Sequence, residues 1–353
     1  MTRAREKMMK SNDEVTLSIE DALELATKAF SGAGASPEVA AVMAQIHVDA
    51  DRDGIASHGV ARVPGLCKQL QAGRVNGTAV PDVSQPRPGI VIADARGGFP
   101  QPAFQAGFDA TVKAVTSCGI ATLVVRNGWA ADVMGWHTEC FAREGFLALG
   151  FANVPASISP VGGTKPVFGT NPITCAIPQP GKPPIVIDQA SSVIAKSEIV
   201  ERAAANEPIP LGWALDAHGQ PTEDAQAGLA GSLLASGGYK GIGIALIVEL
   251  FAAVLSGSEL SIEAAPLAKM DAPPVRLAQT YVVLDPTAVA GPGWLARVAQ
   301  ITGAIEAQEG ARVPGARRFA ARKKHIEQGI TITAVLAQSL SDLAGQDRPL
   351  GKS

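Results

Sequence analysis

The chain has 353 residues, with 30 Lys and Arg against 33 Asp and Glu. That length is enough for two or three domain-sized units and a large core without covalent staples, and the near-neutral charge gives no reason to expect nucleic acid or an anionic membrane surface as partner. No apolar run reaches the ~18 residues of a membrane span.

The opening "MTRAREKMMK" is basic but lacks an apolar core behind it, so it reads as a disordered start rather than a secretory signal. Residues 14–73 read as helical. "TLSIEDALELATKAFSGAG" has apolar residues at helical spacing, with Ser18 as N-cap and Gly32 as stop. "SPEVAAVMAQIHVDADRDG" repeats the pattern with Ser36 as cap, Pro37 in the first turn and Gly54 at the end. A third helix runs from near Pro64 to Gly73.

From about residue 88 the period changes. "GIVIADARG" and "GIATLVVRNG" are short β-rich runs bounded by glycine, with a helix, "PAFQAGFDATVKAVTSCG", between them. "GFLALGFANV", "NPITCAIPQP", "PPIVIDQAS" and "AQTYVVLDP" read as further strands. "GGYKGIGIALIVELFAAVLSG" reads as a long buried helix, and from about Gly293 the chain is helical again. The fold expected is therefore α+β: a helical domain built from residues 1–85 and 291–353, and a sheet domain over residues 86–290. The strand spacing is irregular, so the sheet need not be parallel.

Cys67, Cys118, Cys140 and Cys175 are scattered and form no C-x-x-C pair, which argues against a structural zinc and for a reducing cytoplasm. No G-x-G-x-x-G follows a strand, so any nucleotide is held by something other than a Rossmann fold.

Five stretches carry candidate chemistry. In "DGIASHGVARVPG", Ser57, His58 and Arg62 stand close together. An arginine binds a carboxylate bidentately, a histidine can give a proton to a group being reduced, and a serine can orient the imidazole. Spacing alone favours the blander reading, an N-cap serine with two surface polar residues. "PVGGTKPVFGTNPITCAIP", with Thr170, is rich in the donors that suit an anion, or is an ordinary series of turns. "IVIDQASSVIAKSEI" places Asp188, Gln189 and Ala190 at the carboxyl end of a strand, a common ligand position. Glu198 follows, as an acid that could pair with a histidine or as a surface residue. In "SGGYKGIG", Tyr239 and Lys240 sit among glycines at a helix start, where the lysine could reach a phosphate or simply be solvated. "ARVPGARRFAARKK", with Arg312, Arg317 and Arg318, is the most basic run and could hold the extra phosphate of NADP, although such runs are more often solvated helix faces.

Taken in order, "SHGVAR", "FGTNPI", "IDQASS", "GGYKG" and "RVPG" resemble the malate/L-lactate dehydrogenase-like oxidoreductases across residues 15–345. This non-Rossmann group includes sulfolactate, ureidoglycolate and diketogulonate enzymes. The resemblance implies a homodimer, a largely antiparallel NAD(P)-binding sheet domain flanked by helices from both chain ends, and a small-molecule site in a cleft between domains. It implies His58 as proton donor, Ser57 as its orienting group, and Arg62 and Thr170 as substrate contacts. Asp188, Gln189, Ala190, Tyr239 and Lys240 would line the cofactor, NADPH or alternatively NADH, with Arg312, Arg317 and Arg318 at its distal end. "IDQASS" is most similar to the Δ1-piperideine-2-carboxylate/Δ1-pyrroline-2-carboxylate reductases, in which an acid after this motif completes a Ser–His–acid relay. Glu198 holds that position, where aspartate is usual. The family's histidine-containing segment after the strand ending near Val125 is replaced by "RNGWAADVMGWHTE". Trp129 or Ala130 stands at the histidine's place, and His137 is not expected to substitute. The function expected is reduction of a cyclic imine carboxylate, with a 2-oxo acid as the alternative substrate.

Overall fold

The computed structural model describes residues 13–345. The basic start assigned to disorder lies outside the described residues. The described residues form two compact units, one of residues 13–79 with 314–345 and one of residues 80–313.

The first unit begins with β1 (Glu14–Leu17), followed by α1 (Ile19–Gly32) and α2 (Pro37–Arg52). Ser18 and Ser36 sit in extended backbone and accept the N–H of Asp21 and Val39, so both helix starts are set by local capping chemistry. Two 3₁₀ turns, Ala56–His58 and Val60–Arg62, lead into α3 (Val63–Gln71). The expected helical reading of residues 14–73 is corrected at its start, where β1 is a strand.

In the second unit the chain continues through β2 (Asp82–Arg87), β3 (Ile90–Asp94), α4 (Pro100–Cys118), β4 (Ile120–Gly128), α5 (Met134–Arg143), β5 (Leu147–Ala152), β6 (Ile173–Gln179) and β7 (Lys182–Gln189). Next come α6 (Lys196–Ala205), the two-residue strands β8 (Ala214–Leu215) and β9 (Pro221–Thr222), α7 (Ala225–Ala230) and β10 (Ser232–Leu233). Helix α8 (Tyr239–Glu249) runs into a π-helical turn, Leu250–Val254, before β11 (Leu277–Leu284), α9 (Pro286–Ala290) and α10 (Trp294–Glu306). The main sheet has the order β2-β3-β4-β11-β5-β6-β7. Only β3 and β4 pair in parallel; every other neighbouring pair is antiparallel. The sheet is therefore the largely antiparallel one expected, and it is not a doubly wound nucleotide fold. Its core joins Val91, Leu123, Val125 and Tyr281 to Phe104 and Phe141 from α4 and α5. Lys182 of β7 pairs with Glu306 of α10, and this unit runs as far as Val313.

The apolar run of α8 departs from the expected burial. Leu246, Leu250 and Val254 are 45%, 46% and 55% exposed, and they recur every four residues on one face. An apolar run signals a need for cover without saying where the cover comes from.

The first unit closes with α11 (Ala316–Gln328), β12 (Ile330–Thr333) and α12 (Ala334–Ala344). Strand β12 pairs antiparallel with β1, joining the two ends of the described chain. Asp53, at the end of α2, is almost completely buried and accepts Arg318 Nε at 2.7 Å, Arg322 Nε at 2.7 Å and Arg52 Nε at 3.1 Å. Burial alone would push its carboxyl pKa up. The Arg322 hydrogen bond and the charges of Arg318, Arg52 and Arg322 outweigh that and hold it below the usual carboxylate value. A depressed pKa gives stability that is present above the unfolded value of ~3.9 and is lost as pH falls through the folded value.

All four tryptophans lie in the sheet unit, so fluorescence reports that unit while circular dichroism also senses the helical one. Asp53→Ala removes the buried carboxylate that Arg318, Arg322 and Arg52 share and should cost about 3–5 kcal/mol. The expected result is a dichroism transition displaced to lower urea by more than the fluorescence transition. Equal displacement of the two would contradict the assignment of this ion cluster to the helical unit alone.

Candidate active site

The loop that carries His58 is built on α2. Ser57 Oγ and His58 Nδ1 are 3.0 Å apart, the contact an orienting hydroxyl requires. The two short turns break at Gly59, so His58 and Arg62 do not share one helix face as i and i+4; they lie on successive 3₁₀ turns. Two groups of α2, buried His47 and half-buried Asp51, hold this backbone. His47 Nδ1 is 2.8 Å from His58 O, and Asp51 Oδ2 accepts Val60 N–H at 2.7 Å. Burial pushes the Asp51 pKa up to about 6, against the Val60 hydrogen bond and the His325 charge, which lower it. His325 of α11 closes the carbonyl ends of the same helix, with Nδ1 at 3.0 Å from Asp51 O and 2.9 Å from Arg52 O. A Cβ at Gly59 would overlap the Asp51 carboxylate, so the loop can lie this close to α2 only with glycine there.

In the sheet unit the other motifs converge. β6 and β7 are paired, with Thr174 opposite Asp188 and Ile173 opposite Gln189. Asp188 Oδ2 accepts Gly135 N–H at 2.7 Å, at the start of α5. Ser191 N–H donates to Thr170 O and Ser191 Oγ to Asn171 O, both at 2.7 Å, fastening the "FGTNP" loop to the end of β7. Ser236 N–H donates to Ser191 O at 2.9 Å, so the "GGYKG" turn joins the same place. A cavity of about 360 Å³ opens here, lined by Gln189, Ala190, Ser191 and Ser192 from one side and Ser236, Gly241 and Ile244 from the other.

This donor set fits a pyridine dinucleotide. Gly237 and Gly238 have φ of 66° and 61°, and nothing lies within 4 Å of a Cβ built on either. The turn therefore exposes backbone at a helix N-terminus, the arrangement that suits a phosphate. Tyr239 and Lys240 are exposed on the first turn of α8. Asp188 and Gln189 are exposed at the strand end.

Three placements refine the sequence reading. Glu198, in the first turn of α6, accepts Arg202 Nε at 3.2 Å, and Arg202 in turn lies 5.2 Å above the Trp213 ring. In the basic run, Arg318 is 8% exposed and committed to Asp53, whereas Arg312 and Arg317 are exposed. Anchoring α11, rather than meeting a cofactor, is what the structure gives Arg318. At the family histidine's position, Trp129 and Ala130 are both buried. His137 is fully buried beside Phe104, 4.6 Å between ring centroids, and burial drives its pKa down to about 4. A ring held neutral and walled off by aromatics does not replace the missing histidine.

Sequence reasoning did not single out Asp51, His47, Ser191, Asn171 or Glu249. Glu249 did leave a signal, being the lone acid in the run "GIGIALIVELFAAVL", since an acid in an apolar helix has to be paired if it is buried.

The fold and these residues define an oxidoreductase of non-Rossmann type. The malate/L-lactate dehydrogenase family model matches residues 17–341. A Δ1-pyrroline-2-carboxylate/Δ1-piperideine-2-carboxylate reductase of Pseudomonas putida is 38% identical over 317 residues, covering 90% of this chain and 93% of the relative. The NADP-dependent (2R)-3-sulfolactate dehydrogenase of Chromohalobacter salexigens is 35% identical over 311 residues, 88% of this chain and 93% of that one. The crystal structure of Δ1-piperideine-2-carboxylate reductase from Pseudomonas syringae pv. tomato superposes with a TM-score of 0.88 at 35% identity, covering 93% of this chain and 99% of that chain. The chain belongs to the malate/L-lactate dehydrogenase family.

Gly59→Ala and Gly65→Ala separate loop geometry from helix stability. The first forces Val60 away from Asp51 and should reduce turnover roughly a hundredfold, as a 1 Å misplacement of a reacting group can. Nothing lies within 4 Å of a Cβ at Gly65 inside α3, so the second should keep full turnover and gain about 0.5–1 kcal/mol. Steady-state rates and thermal melts of the two variants check both outcomes. Full activity in Gly59→Ala would contradict the Asp51 contact.

Proposed function

We propose that this chain is an NADPH-dependent reductase of a cyclic imine carboxylate, forming L-proline from Δ1-pyrroline-2-carboxylate or L-pipecolate from Δ1-piperideine-2-carboxylate. The observation that carries the reading is the Ser57–His58 hydrogen bond in a loop that also holds Arg62, in a chain 38% identical to a reductase of these imines.

The substrate has two polar handles, a carboxylate and a basic ring nitrogen. Arg62 suits the first through its two-pronged guanidinium. His58 suits the second as a proton donor. When Nδ1 accepts the Ser57 hydroxyl, the proton of the neutral ring is on Nε2, which makes Nε2 the donor atom. Glu198, steadied by Arg202, is the proposed acid of the relay, and Thr170 is a second substrate contact. Asp188, Gln189 and Ala190, with Tyr239 and Lys240, would hold the dinucleotide, and Arg312 and Arg317 its distal phosphate. The bound cofactor supplies the hydride for the imine carbon. The same groups would serve a 2-oxo acid, a second reading favoured by the 35% identity to a sulfolactate dehydrogenase.

We also propose a homodimer in the cytoplasm. The exposed apolar stripe of Leu246, Leu250 and Val254 supports a second copy as its cover. The four cysteines are all unpaired to one another, which supports a reducing compartment. Among the described residues no helix is long and apolar enough to cross a membrane.

Incubation with NADPH and each imine, followed by chiral chromatography, should give the L-amino acid. His58→Ala should lower turnover by roughly a hundredfold or more, with the NADPH affinity from fluorescence titration nearly unchanged. If wild-type protein binds NADPH and forms neither amino acid, the imine assignment fails. For the dimer, Leu250→Lys should halve the mass found by light scattering; a wild-type monomer would rule the dimer out.

A further inference from the structure

Glu249 ends α8 immediately before the π-helical turn. Its side chain is buried, and its carboxylate accepts three hydrogen bonds. Asn171 Nδ2 donates to Oε2 at 2.7 Å, Ser261 Oγ to Oε2 at 2.6 Å, and Ser261 N–H to Oε1 at 2.6 Å. The second N–H of the Asn171 amide goes to Ala245 O at 3.1 Å, one turn earlier on the same helix. Asn171 is fully buried and has a φ of 35°, a left-handed conformation that costs a non-glycine residue energy and persists only where its surroundings enforce it. Its own carbonyl and that of Thr170 are both taken by Ser191. Thus the strained residue next to Thr170 is gripped by its amide on one side and by its backbone on the other.

Within the π-turn, Phe251 O accepts Thr280 Oγ1 of β11 at 2.7 Å. Turns of this kind are rare and concentrate at functional places. Here the turn follows directly on the residue that grips Asn171.

We propose that Glu249 is a positioning residue that acts through Asn171 to fix Thr170 against the strand end bearing Asp188, Gln189 and Ala190. The chemistry requires an acceptor with two oxygens. Every partner on the carboxylate is a donor, so a glutamine in its place would turn an N–H₂ group toward either the Asn171 amide or the Ser261 N–H. The functional half of the inference rests on the substrate contact proposed for Thr170; the structural half does not.

Two readouts on the full-length chain keep those halves apart. In hydrogen-exchange mass spectrometry, Glu249→Gln should exchange faster than wild type in peptides spanning 168–173 and 189–193, with the β5 peptide at 147–152 unchanged. Equal exchange in all three would overturn the proposal. Should Glu249→Gln fail to fold, Ser261→Ala removes one donor and keeps the carboxylate, and it should show the same local pattern at smaller amplitude; its absence would equally overturn the proposal. The second readout uses whichever carboxylate substrate the wild type reduces. Glu249→Gln should raise KM roughly tenfold with a smaller change in kcat. Combined with Thr170→Ala it should add nothing to the KM of Thr170→Ala alone. Multiplying effects would show that Glu249 does not act through Thr170. A wild type inactive on imines and oxo acids alike would sink the substrate reading, while the exchange data would still decide the role of Glu249.

Discussion

A carboxylate on a neighbouring helix, half-buried Asp51 in one case and buried Glu249 in the other, holds each of the two site loops, and the remaining geometry depends on that constraint. In the helical unit Asp51 of α2 takes the N–H of Val60, between His58 and Arg62. In the sheet unit Glu249 of α8 takes the amide of Asn171, beside Thr170. Loops have few backbone partners of their own, and a buried polar group without a partner is costly. A carboxylate on a rigid helix meets both needs: it satisfies loop donors, one at Asp51 and three at Glu249, and transmits the stiffness of the helix to the loop. The arrangement works only if the loop comes close, which is why Gly59 has no room for a side chain.

The sheet explains why no dinucleotide fingerprint is found. In a doubly wound fold, phosphate binding belongs to a glycine turn between a strand and the helix after it. Here the sheet is nearly all antiparallel, and the corresponding parts come from separate places in the chain. The polar strand end comes from β7, at the sheet edge, and the open glycine turn from the start of α8. Ser191 and Ser236 join them by one backbone hydrogen bond. A pattern distributed in this way has no single regular expression, and only the order of several motifs reveals it.

That difference also marks what could be read from the sequence. Ser18 and Ser36 were legible as caps because a cap is decided within four residues. Six of the seven strands of the main sheet were legible from β-rich runs between glycines and prolines, whereas β2, exposed along its length and interrupted by Pro86, was not. The pairing of β1 with β12 was not, because four-residue strands at opposite ends of the chain carry almost no local signal. Apolar content identified α8 but not its exposed face, since hydrophobicity does not say which surface provides cover. The candidate site residues were picked out through their motifs. Their supports were not: Asp51 and His47 looked like ordinary residues of a helix. Arg318 was misleading, because a basic run looks the same whether its charges face a ligand or, as here, a buried Asp53.

We propose that this site reduces a carbon–nitrogen double bond in preference to a carbonyl. It is tested most directly by the ratio of kcat/KM values with NADPH for Δ1-pyrroline-2-carboxylate and Δ1-piperideine-2-carboxylate against pyruvate, oxaloacetate and 3-sulfopyruvate. The account predicts that the better imine exceeds every oxo acid by at least about tenfold, a difference of roughly 1.4 kcal/mol in transition-state binding. A larger kcat/KM for any of the oxo acids would contradict it.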